Sequence, residues 1–222
     1  MGAELESRLA GVREGIADAA SAAGRSVDEL TLIVVTKFHP ASLVRELHGL
    51  GVTDVGENRH PEARDKVEAT ADLGLTWHFI GQLQTNKAKQ VARYADAVHS
   101  IDRPELVSAL SSETRTIDGF VQINLTADAG RGGTSDADLE VIVERVLDAP
   151  GIVLRGVMAV APLDADPRAA FATVRRASER VQKLAPNAQA LSMGMSHDYR
   201  EAILEGATHL RIGTAITGNR PV

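Results

Sequence analysis

Three short stretches of this sequence hold residue types that could do chemistry together. Leu32-Ile33-Val34-Val35-Thr36-Lys37 is apolar and β-branched until it delivers an amine at its end. Ser192-Met193-Gly194-Met195-Ser196 sets two hydroxyls around a glycine. Arg211-Ile212-Gly213-Thr214 places a cation inside an apolar run and follows it with a glycine and a hydroxyl. A lysine at the end of a buried strand is partly desolvated, which favours the neutral amine. A neutral amine attacks a carbonyl and forms a Schiff base. The serine–glycine stretch leads into His197-Asp198, which opens a helix and turns backbone N–H groups towards an anion. Each stretch alone has a plainer reading: a lysine snorkelling to a rim, an ordinary β–α turn, a surface ion pair. In combination, an amine opposite an anion cradle fits a phosphorylated aldehyde. Pyridoxal 5'-phosphate (PLP) is the leading candidate, and a sugar phosphate handled by a Schiff-base aldolase is the other.

These residues need elements to position them. Strand-like runs occur at 31–36, 53–56, 77–80, 96–101, 119–125, 152–160, 190–193 and 208–212. Amphipathic helical patterns lie between them. One carries Leu43, Leu47 and Leu50, another Leu139, Ile142, Val143, Val146 and Leu147, a third Phe171, Val174, Ser178, Val181 and Leu184. Asp102, Ser135 and Asp166 are placed to cap helices, and Gly24, Gly51 and Gly74 to stop them. Alternating strands and helices build parallel βαβ units, and eight such units close into an α/β, single-domain (β/α)8 TIM barrel over residues 1–222. The rival open doubly wound sheet lacks a Gly-x-Gly-x-x-Gly turn after its first strand. Leu5, Leu9, Val12 and Ile16 form an extra N-terminal amphipathic helix rather than a signal peptide. In a barrel the functional residues stand at the C-terminal strand ends, and phosphate sites often use the loops after strands seven and eight. Lys37, Ser196 and Arg211 all fall there.

Composition narrows the function classes. A net charge of -6 argues against general nucleic-acid binding. No run is long enough to span a membrane, so the expected location is the cytoplasm. Without cysteine there is no disulfide, thiolate ligand or cysteine nucleophile, and the seven histidines show no close metal-ligand spacing.

The motifs also occur in an order that resembles a known family. Val35-Thr36-Lys37, Val55-Gly56-Glu57-Asn58, His78-Phe79-Ile80-Gly81-x-Leu83-Gln84-x-Asn86-Lys87, Val98-His99-Ser100-Ile101-Asp102, Ser192–Ser196 and Arg211–Ile216 follow one another with matching spacing. This resembles the pyridoxal phosphate homeostasis protein family, whose fold is like the barrel domain of alanine racemase. The likeness runs from about residue 5 to about 218. It implies that Lys37 bears PLP, that Ser196, Gly213 and Thr214 hold the phosphate with backbone near Met195, and that Arg211 faces the pyridine nitrogen. It implies that Asn58 and the stretch from His78 to Leu83 line the ring pocket, and that Arg131 lies near its mouth. Phe38-His39-Pro40, Pro61, Gln82 and Thr217 depart from the family pattern and bear on the pocket rim.

An arginine at the pyridine nitrogen weakens PLP as an electron sink. Alanine racemases share that arginine but add a tyrosine base from a further C-terminal domain, and this chain ends just after the eighth unit. Of the two tyrosines, Tyr94 reads as packing and Tyr199 as the one that could reach the mouth. The expectation is a PLP carrier that is no enzyme, monomeric, buffering the cofactor or delivering it to PLP-dependent apo-enzymes. A weak amino-acid racemase and a Schiff-base aldolase are the alternatives.

Overall fold

The β-branched runs pair in sequence order and close on themselves. The computed structural model describes residues 2–126 and 128–219. The strands are β1 (Thr31–Val35), β2 (Asp54–Glu57), β3 (Thr76–Phe79), β4 (Ala97–Ile101), β5 (Ile117–Ile123), β6 (Ile152–Ala159), β7 (Ala190–Ser192) and β8 (His209–Ile212). Each is hydrogen-bonded in parallel to its neighbours in sequence, and β8 returns to β1 through Thr31↔His209 to Val34↔Ile212. The expected barrel is therefore present, with every strand within about two residues of its reading. Parallel pairing needs crossovers, and these are the outer helices α2 (Ala41–Gly49), α3 (His60–Ala69), α4 (Thr85–Val91), α5 (Pro104–Leu110), α6 (Leu139–Leu147), α7 (Pro167–Leu184) and α8 (Tyr199–Leu204). A short α9 (Thr214–Thr217) follows β8.

The N-terminal helix α1 (Gly2–Ala22) buries Leu5, Leu9, Val12 and Ile16 against α8 and α9. It thereby braces the two loops that carry Ser196 and Thr214. Gly15 makes the approach possible, because a Cβ there would lie 2.2 Å from the Tyr199 hydroxyl.

The caps are partly as expected. Asp166 accepts from Arg168 N at 3.0 Å and starts α7. Ser135 and Asp102 do not cap helices. Ser135 Oγ accepts from Asp138 N at 3.1 Å, one turn ahead of α6, and Asp102 Oδ2 accepts from Gly133 N at 3.2 Å, tying two loops. Gly24, Gly51 and Gly74 take left-handed conformations (φ +67°, +79°, +62°) where helices stop.

The barrel interior departs from the usual filling of Val, Ile and Leu. His78, His99, Phe120 and His209 point inward and pack ring against ring, with His99 stacked on Phe120 at 4.2 Å between centroids.

Candidate functional site

The C-terminal ends of β1, β2, β7 and β8 open on one cleft of about 300 Å³. Seven of the eight residues singled out from the sequence line it: Lys37, Asn58, Met195, Ser196, Arg211, Gly213 and Thr214. Val35, Ile80, Gly81 and Val160 supply its apolar wall, and His197 stands at its rim. His78 lies apart. It is buried one layer lower, and both its ring nitrogens are engaged, with Asp54 Oδ1 and His99 Nε2, each at 2.9 Å.

Lys37 leaves the barrel where β1 ends, because its strand neighbours Val34 and Val35 stay in the wall. The sequence reading puts a partly desolvated amine here; in the fold Lys37 is exposed and lines the open mouth. It follows the last buried residue of the strand, Thr36, and stands at the open side of the cleft. The next residue, Phe38, holds a left-handed φ of +69°, which a side chain this size rarely adopts. Its ring sits between two cations, Lys37 Nζ at 5.8 Å and the Arg59 guanidinium at 5.1 Å. Of the other departures from the family pattern, Pro61 sits in the first turn of α3, where proline is tolerated. Gln82 Nε2 donates to Gly130 O at 3.3 Å and ties the loop after β3 to the loop after β5.

Under the strand end lies a group of polar side chains that the sequence did not announce. Lys66, on α3, donates to Thr36 O at 2.7 Å and to the Glu57 carboxylate on the helix-facing side of the sheet. Thr36 Oγ1 also donates to Glu57 Oε1, at 2.7 Å. Lys66 and Glu57 side chains are only 8% and 1% exposed. Burial pushes the Glu57 carboxyl above its ordinary value despite the lowering effect of Lys66. Glu57 thus accepts from both Thr36 and Lys66 and does not line the cleft. Lys66 went unremarked because a lysine on a helix reads as solvated. The signal for it is its place on the face of His60 and Ala63, both buried.

Opposite Lys37, the two glycine loops meet. Ser196 Oγ accepts from Ala215 N at 3.3 Å and lies 3.4 Å from Thr214 Oγ1, so both hydroxyls face one spot. Met195 N donates to Asp198 Oδ1 at 2.6 Å, which fixes the turn before α8. Gly194 makes that turn: its φ is +93°, and a Cβ would lie 2.7 Å from the Ala202 Cβ. Between the lysine and these loops, Arg211 is 4% exposed. Its Nη1 donates to Ser192 Oγ at 2.6 Å and its Nη2 to Ala159 O at 2.9 Å. Burial pulls the guanidinium down to about 10, still a cation at neutral pH. Asn58 Oδ1 is buried in the cleft wall without a hydrogen-bond partner. Such an acceptor is costly to leave unpaired, and a ligand donor would satisfy it.

Neither tyrosine reaches the cleft. Tyr94 is hydrogen-bonded to His60 Nδ1 at 3.2 Å, and burial raises its hydroxyl far above the ordinary value. The Tyr199 hydroxyl, which the sequence left able to reach the mouth, faces Gly15 of α1 instead. Among the described residues the titratable side chains lining the cleft are Lys37, His197 and Arg211.

The buried rings give the fold a pH dependence. Burial pushes His99 well below its ordinary 6.5, and nearby His78 and Arg211 add to the shift. Burial likewise pushes His209 down to about 4. Both stay neutral in the fold, whereas in the unfolded chain they take up protons near 6.5. The unfolded state therefore binds more protons below that value, so stability is complete above pH 6.5 and falls as pH drops towards about 4. Each ring contributes about 1.4 kcal/mol per pH unit. Urea denaturation is expected to show a loss of roughly 4 kcal/mol between about pH 7.5 and 5. An unchanged midpoint would mean that the rings are charged in the fold.

Comparison with known proteins places this cleft among relatives. The family model described as alanine racemase, N-terminal domain, matches residues 13–221. The pyridoxal phosphate homeostasis protein of Mycobacterium tuberculosis is 39% identical, with 98% of this chain and 93% of that protein covered. The protein of the same name from Pseudomonas aeruginosa is also 39% identical, covering 97% and 96%. The structure of PipY from Synechococcus elongatus, with PLP bound, superposes with a TM-score of 0.85 at 34% identity, covering 96% of this chain and all of that one.

Proposed function

The chain belongs to the pyridoxal phosphate homeostasis protein family, built on the alanine racemase N-terminal fold, and from that premise we propose that it binds PLP on Lys37 and buffers or delivers it. The residues present suit the group. The cleft offers one amine, two hydroxyls converging beside a glycine turn, a buried cation and an unpaired buried acceptor. When bound, PLP supplies an aldehyde that condenses with an amine and a phosphate that needs donors. Lys37 is the amine. Ser196, Gly213 and Thr214 take the phosphate, helped by backbone N–H groups near Met195, whose own N–H is engaged by Asp198. Arg211 takes the ring nitrogen, and Asn58 takes a polar group on the ring edge. His78 supports the site from beneath and is not itself a contact.

The single observation that carries this reading is the meeting of the Lys37 strand end with the Ser196–Thr214 hydroxyl pair across one cleft. A carrier role rather than turnover fits the absence of a tyrosine at the cleft among the described residues. It also fits the relatives, which are named for homeostasis. The closed barrel leaves no strand edge to pair with another chain, which supports a monomer.

The test loads the purified protein with PLP and follows two things. The expected results are faster transfer of the cofactor to a PLP-dependent apo-enzyme than free release allows, and negligible exchange of an amino acid's α-proton in deuterium oxide. Brisk exchange lost in His197→Ala would make the chain a racemase, with His197 as a base. Uptake of a sugar phosphate in place of PLP would point to an aldolase.

A further inference from the structure

A continuous row of hydrogen bonds crosses the barrel from its N-terminal face to the cleft. Asp54, the first residue of β2, is 23% exposed at that face, and its Oδ1 lies 2.9 Å from His78 Nε2. His78 Nδ1 meets His99 Nε2 at 2.9 Å, and His99 Nδ1 meets Ser192 Oγ at 2.8 Å. Ser192 Oγ in turn accepts from Arg211 Nη1. Three inward-facing side chains from three other strands thus connect Arg211 to a carboxylate that does not line the cleft.

The direction of the row follows from its ends. A guanidinium can only donate and a carboxylate can only accept. Ser192 accepts from Arg211, which leaves its one proton free for His99 Nδ1. His99 is then protonated at Nε2 and donates to His78 Nδ1. His78 is protonated at Nε2 and donates to Asp54. Starting from Asp54 gives the same assignment. Any other tautomer would set two donors or two acceptors against each other among side chains that are 0–5% exposed at Ser192, His99 and His78. The charges agree. Burial keeps His99 neutral; at Asp54 burial acts to raise the carboxyl, but the hydrogen bonds from His78 and Thr53 and the nearby His78 and His209 rings together outweigh it and hold the carboxyl below its ordinary value. Phe120 covers one face of His99, so water has no access from that side.

Of the five N–H groups of Arg211, two are spent inside the fold and three remain for a ligand. We propose that Asp54, His78, His99 and Ser192 are positioning residues for Arg211, setting where it presents those remaining donors to the cofactor ring and how strongly it donates. This rests on the reading of the cleft as a PLP site. Chains of hydrogen bonds polarise one another, so a carboxylate at the far end strengthens each donor along the row. The far face of the barrel is thereby coupled to cofactor retention without any movement of the backbone.

The experiment compares wild type with Ser192→Ala, His99→Phe, Asp54→Asn and Asp54→Ala. Two readouts are taken. In protein without added cofactor, imidazole nitrogen shifts by NMR should place the proton on Nε2 of both His78 and His99. In PLP-loaded protein, the absorbance maximum and the dissociation constant should both move. Breaking the row at Ser192 or His99 is expected to weaken retention about fivefold, as for one lost hydrogen bond. Asp54→Ala should act in the same direction by about two- to threefold, and Asp54→Asn, which keeps an acceptor, by less. Asp54 is the deciding position, since a merely structural role there would lower the melting temperature and leave the absorbance maximum alone. Folded Asp54→Ala with wild-type spectrum and affinity, or a proton on Nδ1 of either ring, overturns the proposal. If Asp54→Ala does not fold, the shape-conserving Asp54→Asn decides by the same criterion. A wild type that takes up no PLP fails differently: it overturns the assignment of the cleft itself, and the row with it.

Discussion

Lys37→Ala is expected to abolish the absorbance band of the lysine–PLP adduct while leaving the protein as stable as before. The two halves of that result have separate causes. The amine is the one lysine nitrogen lining the cleft among the described residues, so no other side chain can replace it there. Yet Lys37 is exposed and makes no hydrogen bond or ion pair among the described residues, with the Phe38 ring centroid 5.8 Å from its Nζ. Exposed substitutions of this kind stay within about 0.5 kcal/mol. The Ser196–Thr214 cradle and Arg211 remain, so PLP still docks, but retention should fall by at least about a hundredfold, or ~2.7 kcal/mol. Lys37→Arg should behave like the alanine variant despite keeping its charge, because a guanidinium stays protonated and does not attack a carbonyl. Equilibrium dialysis beside the spectrum separates lost adduct from lost binding. A persistent band in either variant would place the attachment elsewhere.

Lys66→Met should be the most damaging substitution near the site for stability. It leaves Glu57, 1% exposed, without its cation in a low-dielectric wall. Removing one partner of a buried pair costs about 3–5 kcal/mol. Glu57 can escape part of that cost by taking a proton, which its burial already favours. The loss should therefore be larger at alkaline pH, where that proton must be given up. Lys66→Met with Glu57→Gln removes both charges together and should recover most of the stability, since an apolar or neutral replacement of a buried pair is often nearly neutral. Urea denaturation of the two single variants and the double variant reads this directly. Additive losses would mean that the pair does not act as a unit. Because Lys66 also holds the Thr36 carbonyl, one residue before Lys37, the single variant should in addition broaden the adduct band.

The barrel and its mouth were readable from the chain because both depend on local pattern. β-Branched runs such as Thr31–Val35 can hardly be anything but buried strands, and eight of them alternating with amphipathic helices leave few ways to close. Lys37, Ser196 and Arg211 were found because strand ends are visible in sequence. What stayed hidden depends on closure. Asp54, His78, His99, Ser192 and Arg211 come from five strands, and nothing in their spacing places them in one layer. His78 was assigned to the ring pocket by the motif it shares with Ile80 and Gly81. The two-residue alternation of a strand turned it into the barrel, while Ile80 and Gly81, in the loop beyond, reached the cleft. Lys37 shows a subtler limit. Its strand position suggested desolvation, but one residue past the buried Thr36 it is exposed at the open side of the cleft.

The most direct test of the central claim is borohydride reduction of PLP-loaded protein followed by peptide mass mapping. The chain has five lysines: Lys37, Lys66, Lys87, Lys89 and Lys183. A single reduced pyridoxyl phosphate on the peptide containing Lys37 is the predicted result. Label on any of the other four, or spread among them with Lys37 unmodified, would contradict it.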